Sequence, residues 1–162
     1  MANVNKNGVS KLRQFGGTPY GNAWVDRFVF ETNATGVFVD SDQATAVANG
    51  DVVRIGMLPA GLEIHDSLAI VSTIFTAATT AAVGFLYADG VDSVDVPQNA
   101  AYFNTALATS ALGRTRANNN AVKPEILPKD AYLTLTVGGA SHAKVGRLDL
   151  IIQGIWTGLP SV

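Results

Sequence analysis

Apolar residues fall along this chain in short alternating runs, the period of a strand rather than of a helix. Trp24 to Thr32 (WVDRFVFET) puts Trp24, Phe28 and Phe30 on one face, with Asp26 sharing that face as an irregularity. Asp51 to Met57 and Leu62 to Phe75 read as strands around the turn Pro59-Ala60-Gly61. In the longer of these, Leu62, Ile64, Leu68, Ile70 and Ile74 are expected on the core face, and Glu63, His65, Ser67 and Thr73 mostly opposite. The AATT stretch then reads as a hairpin turn into a strand from Ala81 to Tyr87.

The closing run, KVGRLDLIIQGIW, alternates over its whole length. Val145, Arg147, Asp149, Ile151, Gln153 and Ile155 oppose Gly146, Leu148, Leu150, Ile152 and Trp156. Before it, ILPKDAYLTLTVGG repeats the earlier device of a Leu-Pro turn followed by an alternating strand, here Tyr132 to Val137. Asn33 to Asn49 is rich in turn residues around GVFV, a hairpin or edge strand. Arg114 to Lys123 and DGVDSVDVPQN read as loops. One short helix is expected within residues 99 to 112, where Phe103, Leu107 and Ala111 recur at spacing four before Gly113. About eight strands with scarcely any helix predict an all-β domain, a jelly roll or β-sandwich, with a closed barrel as rival.

Residues 1–22 stand apart from this pattern. They hold Lys6, Lys11 and Arg13 without an acidic residue, and several glycines. They are expected to form an extended arm before a domain at 23–162, either frayed or ordered against a neighbouring subunit through its basic side chains, Phe15 and Tyr20.

Composition turns this picture towards assembly. Of 162 residues, 48% are hydrophobic and only 15% charged, against roughly 25% charged in an ordinary soluble domain. A surface so short of charge is expected to be covered by partners. The net charge of −2 gathers neither nucleic acid nor an anionic membrane. Ser67 to Ala88 is uncharged and about long enough to span a bilayer, but Thr73, Thr76, Thr79 and Thr80 argue for strands instead. The N-terminus lacks the apolar stretch of a secretory signal, so no export is expected.

The search for chemistry returns little. There is no cysteine, and the two histidines, His65 and His142, have no carboxylate partner or second histidine at ligand spacing. Ser67, Ser72, Ser110 and Ser141 sit in no nucleophile elbow. No phosphate-binding glycine motif is present, and no cofactor is expected. Asp89, Asp92 and Asp95 could collect a calcium ion from one loop, although their spacing fits no EF-hand and solvated loop acids are the simpler reading. Arg114 and Arg116 could grip an acidic neighbour. The candidate interface residues are therefore Lys6, Lys11, Arg13, Phe15, Tyr20, Arg114 and Arg116.

Four features spanning most of the chain resemble the capsid decoration, or cement, proteins of tailed bacteriophages and related small head proteins. They are TNATGV at 32–37, ANGDVVRIGMLPAGLEI at 48–64, AAVGFLYADG at 81–90, and the pair LPKDAYLTLTVGG and KVGRLDLIIQGIW. The resemblance implies a jelly-roll-like domain, often trimeric, made in the host bacterial cytoplasm. It would sit on the outer capsid surface where major capsid subunits meet. The alternatives are a carbohydrate-binding or tail-associated module stacking sugars on Trp24, Tyr87, Tyr102 or Trp156, and, less favoured, a cupin-like metal enzyme.

Overall fold

The computed structural model describes residues 2–8 and 22–158. Ten strands follow one another: β1 (Asn3–Asn5), β2 (Ala23–Thr32), β3 (Val52–Leu58), β4 (Leu62–Thr73), β5 (Thr80–Tyr87), β6 (Asn99–Ala108), β7 (Gly113–Arg116), β8 (Glu125–Ile126), β9 (Ala131–Gly138) and β10 (Gly146–Trp156). They form two sheets. The first runs β1-β3-β9-β5-β6, and the second runs β2-β10-β4-β7 with β8 also paired to β4. The all-β sandwich expected from the alternating runs is thus the architecture found.

Its core lies between the sheets. The even-numbered residues of β10, Leu148, Leu150 and Ile152, and the odd-numbered residues of β9, Leu133, Leu135 and Val137, are essentially inaccessible. Phe30 stacks on Phe75 with ring centroids 5.3 Å apart and tilts against Phe38 at 5.0 Å, while Phe85 meets Tyr102 edge-on at 5.4 Å. Each such ring removes enough apolar surface to contribute about 1.5–3 kcal/mol.

Several local readings need correction. Residues 99 to 108 are strand β6, paired with β5, and no helix occurs among the described residues. The spacing of Phe103 and Leu107 arises because bulges interrupt the β5–β6 register between Ala81 and Phe85, so burial there does not simply alternate. The AATT segment is no hairpin turn: β4 belongs to the second sheet and β5 to the first, so the chain crosses between sheets there. The Pro59-Ala60-Gly61 turn is likewise a crossing, with Gly61 at φ 79°. Gly113–Arg116 is strand β7 rather than the start of a loop.

In β4 the assumed core face is half right. Leu62 and Ile64 are buried, but pairing with β10 skips His65 and Ser72, and each bulge reverses the side-chain phase. Ser67, Ala69 and Val71 therefore enter the core, while Leu68 and Ile70 are only half-buried and Ile74 is exposed. GVFV contributes only isolated bridges, Thr32 to Phe38 and Val37 to Ala46, although Phe38 itself is buried.

Candidate interaction surface

The titratable side chains that could perform chemistry are occupied by structure. His142 lies in the β9–β10 connection, buried against Phe75 and Phe30 at centroid distances of 4.8 and 5.5 Å. Its Nδ1 has no hydrogen-bond partner, and burial pulls its pKa down to about 4. It is a neutral ring in an aromatic cluster. His65, at the β4 bulge, does meet a carboxylate: its Nε2 is 3.1 Å from Glu63 Oε1. Ser141 Oγ accepts a hydrogen bond from the Asn49 amide at 3.0 Å. Among the described residues no group of three or more His, Asp or Glu side chains is placed to hold a metal ion.

Of the three loop aspartates, Asp89 and Asp92 build the loop through separate contacts, and Asp95 is exposed. Asp89 is 2.7 Å from Lys129 Nζ and accepts from the Val91 amide at 2.9 Å; the Lys129 hydrogen bond holds its carboxyl below the usual range. Asp92 Oδ1 accepts from the amides of Ser93 (2.8 Å) and Gln98 (2.7 Å). Lys129 also donates to the Val91 carbonyl and lies 4.7 Å over the Tyr87 ring, whose hydroxyl donates to the Val96 carbonyl. Desolvation pushes the Tyr87 hydroxyl up to about 12. The clip holds the loop between β5 and β6 while exposing Val91 (62%) and Val94 (97%) at its tip.

The candidate interface residues are not gathered at one place. Lys6 belongs to the β1 edge of the first sheet, bridged to Ser41, with Nζ 3.5 Å from the Val29 carbonyl. Arg114 and Arg116 lie on β7, an edge of the second sheet, and Arg116 Nε is 2.9 Å from Asp66. Lys11, Arg13, Phe15 and Tyr20 lie outside the described residues. Of the aromatics named for sugar stacking, Tyr87 and Tyr102 are buried, whereas Trp24 on β2 and Trp156 at the end of β10 are half-buried.

What the sequence reading missed is a difference between the two sheets. The strands of the first contain a single charged side chain, Arg54. Arg54 lies 4.9 Å over the Tyr132 ring. On the same face of β9 and β5 are the half-buried Thr136, Ala82 and Thr80 and the fully buried Thr134. The buried Arg54 Nε and the hydroxyl oxygens of Thr134 and Thr136 have no partner. The strands of the second sheet carry ten charged side chains, from Asp26 and Arg27 on β2 to Arg147 and Asp149 on β10. Many of these neutralise one another: Arg147 contacts Asp149 and Glu31, each at 3.0 Å, and Arg27 is 3.7 Å from Asp149. The guanidinium of Arg147 is held more firmly protonated than usual by Asp149.

No family model and no characterised sequence matches the chain. Solved structures do. A chain in the capsid of Ralstonia phage GP4 superposes with a TM-score of 0.63 at 15% identity, covering 99% of this chain and 100% of that one. A chain in the capsid asymmetric unit of cyanophage Pam1 gives a TM-score of 0.56 at 13% identity, covering 93% and 94%. Over nearly its whole length the chain therefore has the fold of chains found in two phage capsids.

Proposed function

We propose that this protein is a virion structural protein of a bacteriophage, a decoration protein that binds the outer capsid surface between major capsid subunits and stabilises the shell. The observation that carries the reading is the end-to-end match in fold and extent with a chain of the Ralstonia phage GP4 capsid. The molecule itself supports it: its apolar side chains converge on one core that needs no partner to complete it, as suits a module added to a shell. The outer face of the first sheet, with one charge in five strands, is the face assigned to the shell. Interface centres are depleted of charge, a description that fits a sheet whose strands carry Arg54 as their one charged side chain. A trimer, seated where three shell subunits meet, is the expected oligomer.

Mixing the purified protein with undecorated shells tests this reading through co-sedimentation and the melting temperature of the shell. Saturable binding that raises the melting temperature is expected. Absence of binding at micromolar protein overturns the proposal.

A further inference from the structure

β1 is attached to the domain differently from every other strand. It pairs in parallel with β3, Asn3 opposite Val52, Val4 opposite Val53 and Asn5 opposite Arg54, whereas the remaining strand pairings are antiparallel. Three residues of parallel ladder are too few to hold an edge strand by backbone bonds alone. The rest of the hold comes from backbone bonds of Asn5 and Asn7 to Asp42 and Asp40 and from side chains. Val4 is 0% exposed, seated in the core. Asp51 accepts the Ala2 amide at 3.1 Å, and Asp40 accepts the side-chain amide of Asn7 at 3.1 Å. Asp42 accepts both the backbone and side-chain N–H groups of Asn5 at 2.9 Å, which holds its carboxyl below the usual range. Residues 2–7 thus act as a plug, and the stretch from Asp40 to Arg54 as its socket.

The covalent link does not dictate which chain supplies the plug. Lys6 Nζ reaches the Val29 carbonyl at the middle of β2, whereas Asn22 lies just before the start of that strand. Along a strand, Val29 and Asn22 are about 23 Å apart. The chain from Lys6 to Asn22 spans at most about 58 Å when extended, more than twice the need. The same plug contacts form whether the strand comes from its own chain or another. The closure term of the tether, which varies slowly with length, is what the covalent connection contributes to the choice.

We propose that the β3 edge is a strand-acceptor site and that copies of this chain held close together exchange their N-terminal strands through it. At dilution the tether favours its own socket, because a short linker gives an effective concentration in the millimolar range. Crowding of copies removes that advantage. The inference does not depend on the capsid reading, since purified protein alone suffices to test it.

The chain contains no cysteine, so engineered disulfides report cleanly. Asn3→Cys in one chain and Val52→Cys in another, refolded together over a concentration series and oxidised, are expected to give an interchain disulfide that increases with concentration. The chain carrying both substitutions is the control for closure within one molecule. An intrachain disulfide in that control with no interchain product in the mixture overturns the proposal, and so does failure of both. A second measurement avoids crosslinking: in full-length chain with Val4→Asp, a peptide of residues 2–8 is expected to restore the melting temperature. A peptide that itself carries Val4→Asp is expected to have no effect, and equal rescue by both peptides, or by neither, overturns the acceptor site.

Discussion

At the scale of single residues, His142 makes the sharpest claim. In the unfolded chain it titrates near 6.5, and in the fold near 4, because burial among Phe30 and Phe75 disfavours the imidazolium. Between these values the unfolded state binds the proton first. Stability is therefore lost as the pH falls from about 6.5 to about 4 and levels off below, an effect of at most about 3 kcal/mol. Asp42 and Asp89, whose pKa values are lowered from 3.8, add their own loss only at more acid pH. His142→Phe is expected to flatten the upper segment of the curve, measured by denaturant unfolding at a series of pH values. A curve unchanged by the substitution overturns this account. Gly84 makes a steric claim of the same scale: an added Cβ would lie 2.0 Å from the Asn99 carbonyl oxygen on β6. Gly84→Ala should cost about 1–3 kcal/mol through forced backbone displacement, whereas Gly90→Ala, where nothing lies within 4 Å but φ is 73°, should cost about 1 kcal/mol from backbone strain alone.

At the scale of elements, the loop between β5 and β6 is a test of how a few contacts set local order. Lys129 joins Asp89, the Val91 carbonyl and the Tyr87 ring. Lys129→Met is expected to raise amide exchange and proteolysis at residues 88–98 while leaving global unfolding nearly unchanged, because Lys129 and Asp89 lie outside the core and only cover the edge of it at Tyr87. Asp89 would then titrate closer to the usual carboxylate range, as loss of its leading hydrogen bond requires. The sequence made the strands legible where one face was apolar, as in β10 and, apart from Asp26, in β2, whose inward residues Phe28 and Phe30 agree with their alternation. It misled where alternation broke. The bulges at His65 and Ser72 reverse the facing of β4, and those between β5 and β6 made a strand resemble a helical repeat. Which strands pair was not legible either: turns that look like hairpins from composition carry the chain between sheets when the sandwich is closed by crossing connections. Asp89 and Tyr87 stand out in the sequence for other roles, but their joining by Lys129 does not, because Lys129 lies far along the chain from both.

At the scale of the whole molecule, the low charge has a measurable consequence for how the protein holds a partner. The charges present are largely spent within the chain, Arg147 on Asp149 and Glu31, Arg116 on Asp66, and Lys129 on Asp89. The first sheet has only Arg54 to offer. The proposed attachment through that face would come from shape and from burying neutral surface, which salt does not screen, whereas contacts between exposed charges fade as the Debye length shrinks from about 10 Å at 0.1 M to about 3 Å at 1 M. Shell binding is accordingly expected to change less than about threefold over that range, a difference of about 0.65 kcal/mol. Placing one carboxylate on each face separates the two sheets: Ala82→Glu on the first should reduce binding at least tenfold, since it buries an unpaired charge in the contact, and Val25→Glu on the second should leave it unchanged. A steep loss of binding with salt, or equal sensitivity of the two faces, would move the contact away from the first sheet and towards the basic residues Lys11 and Arg13 near the N-terminus.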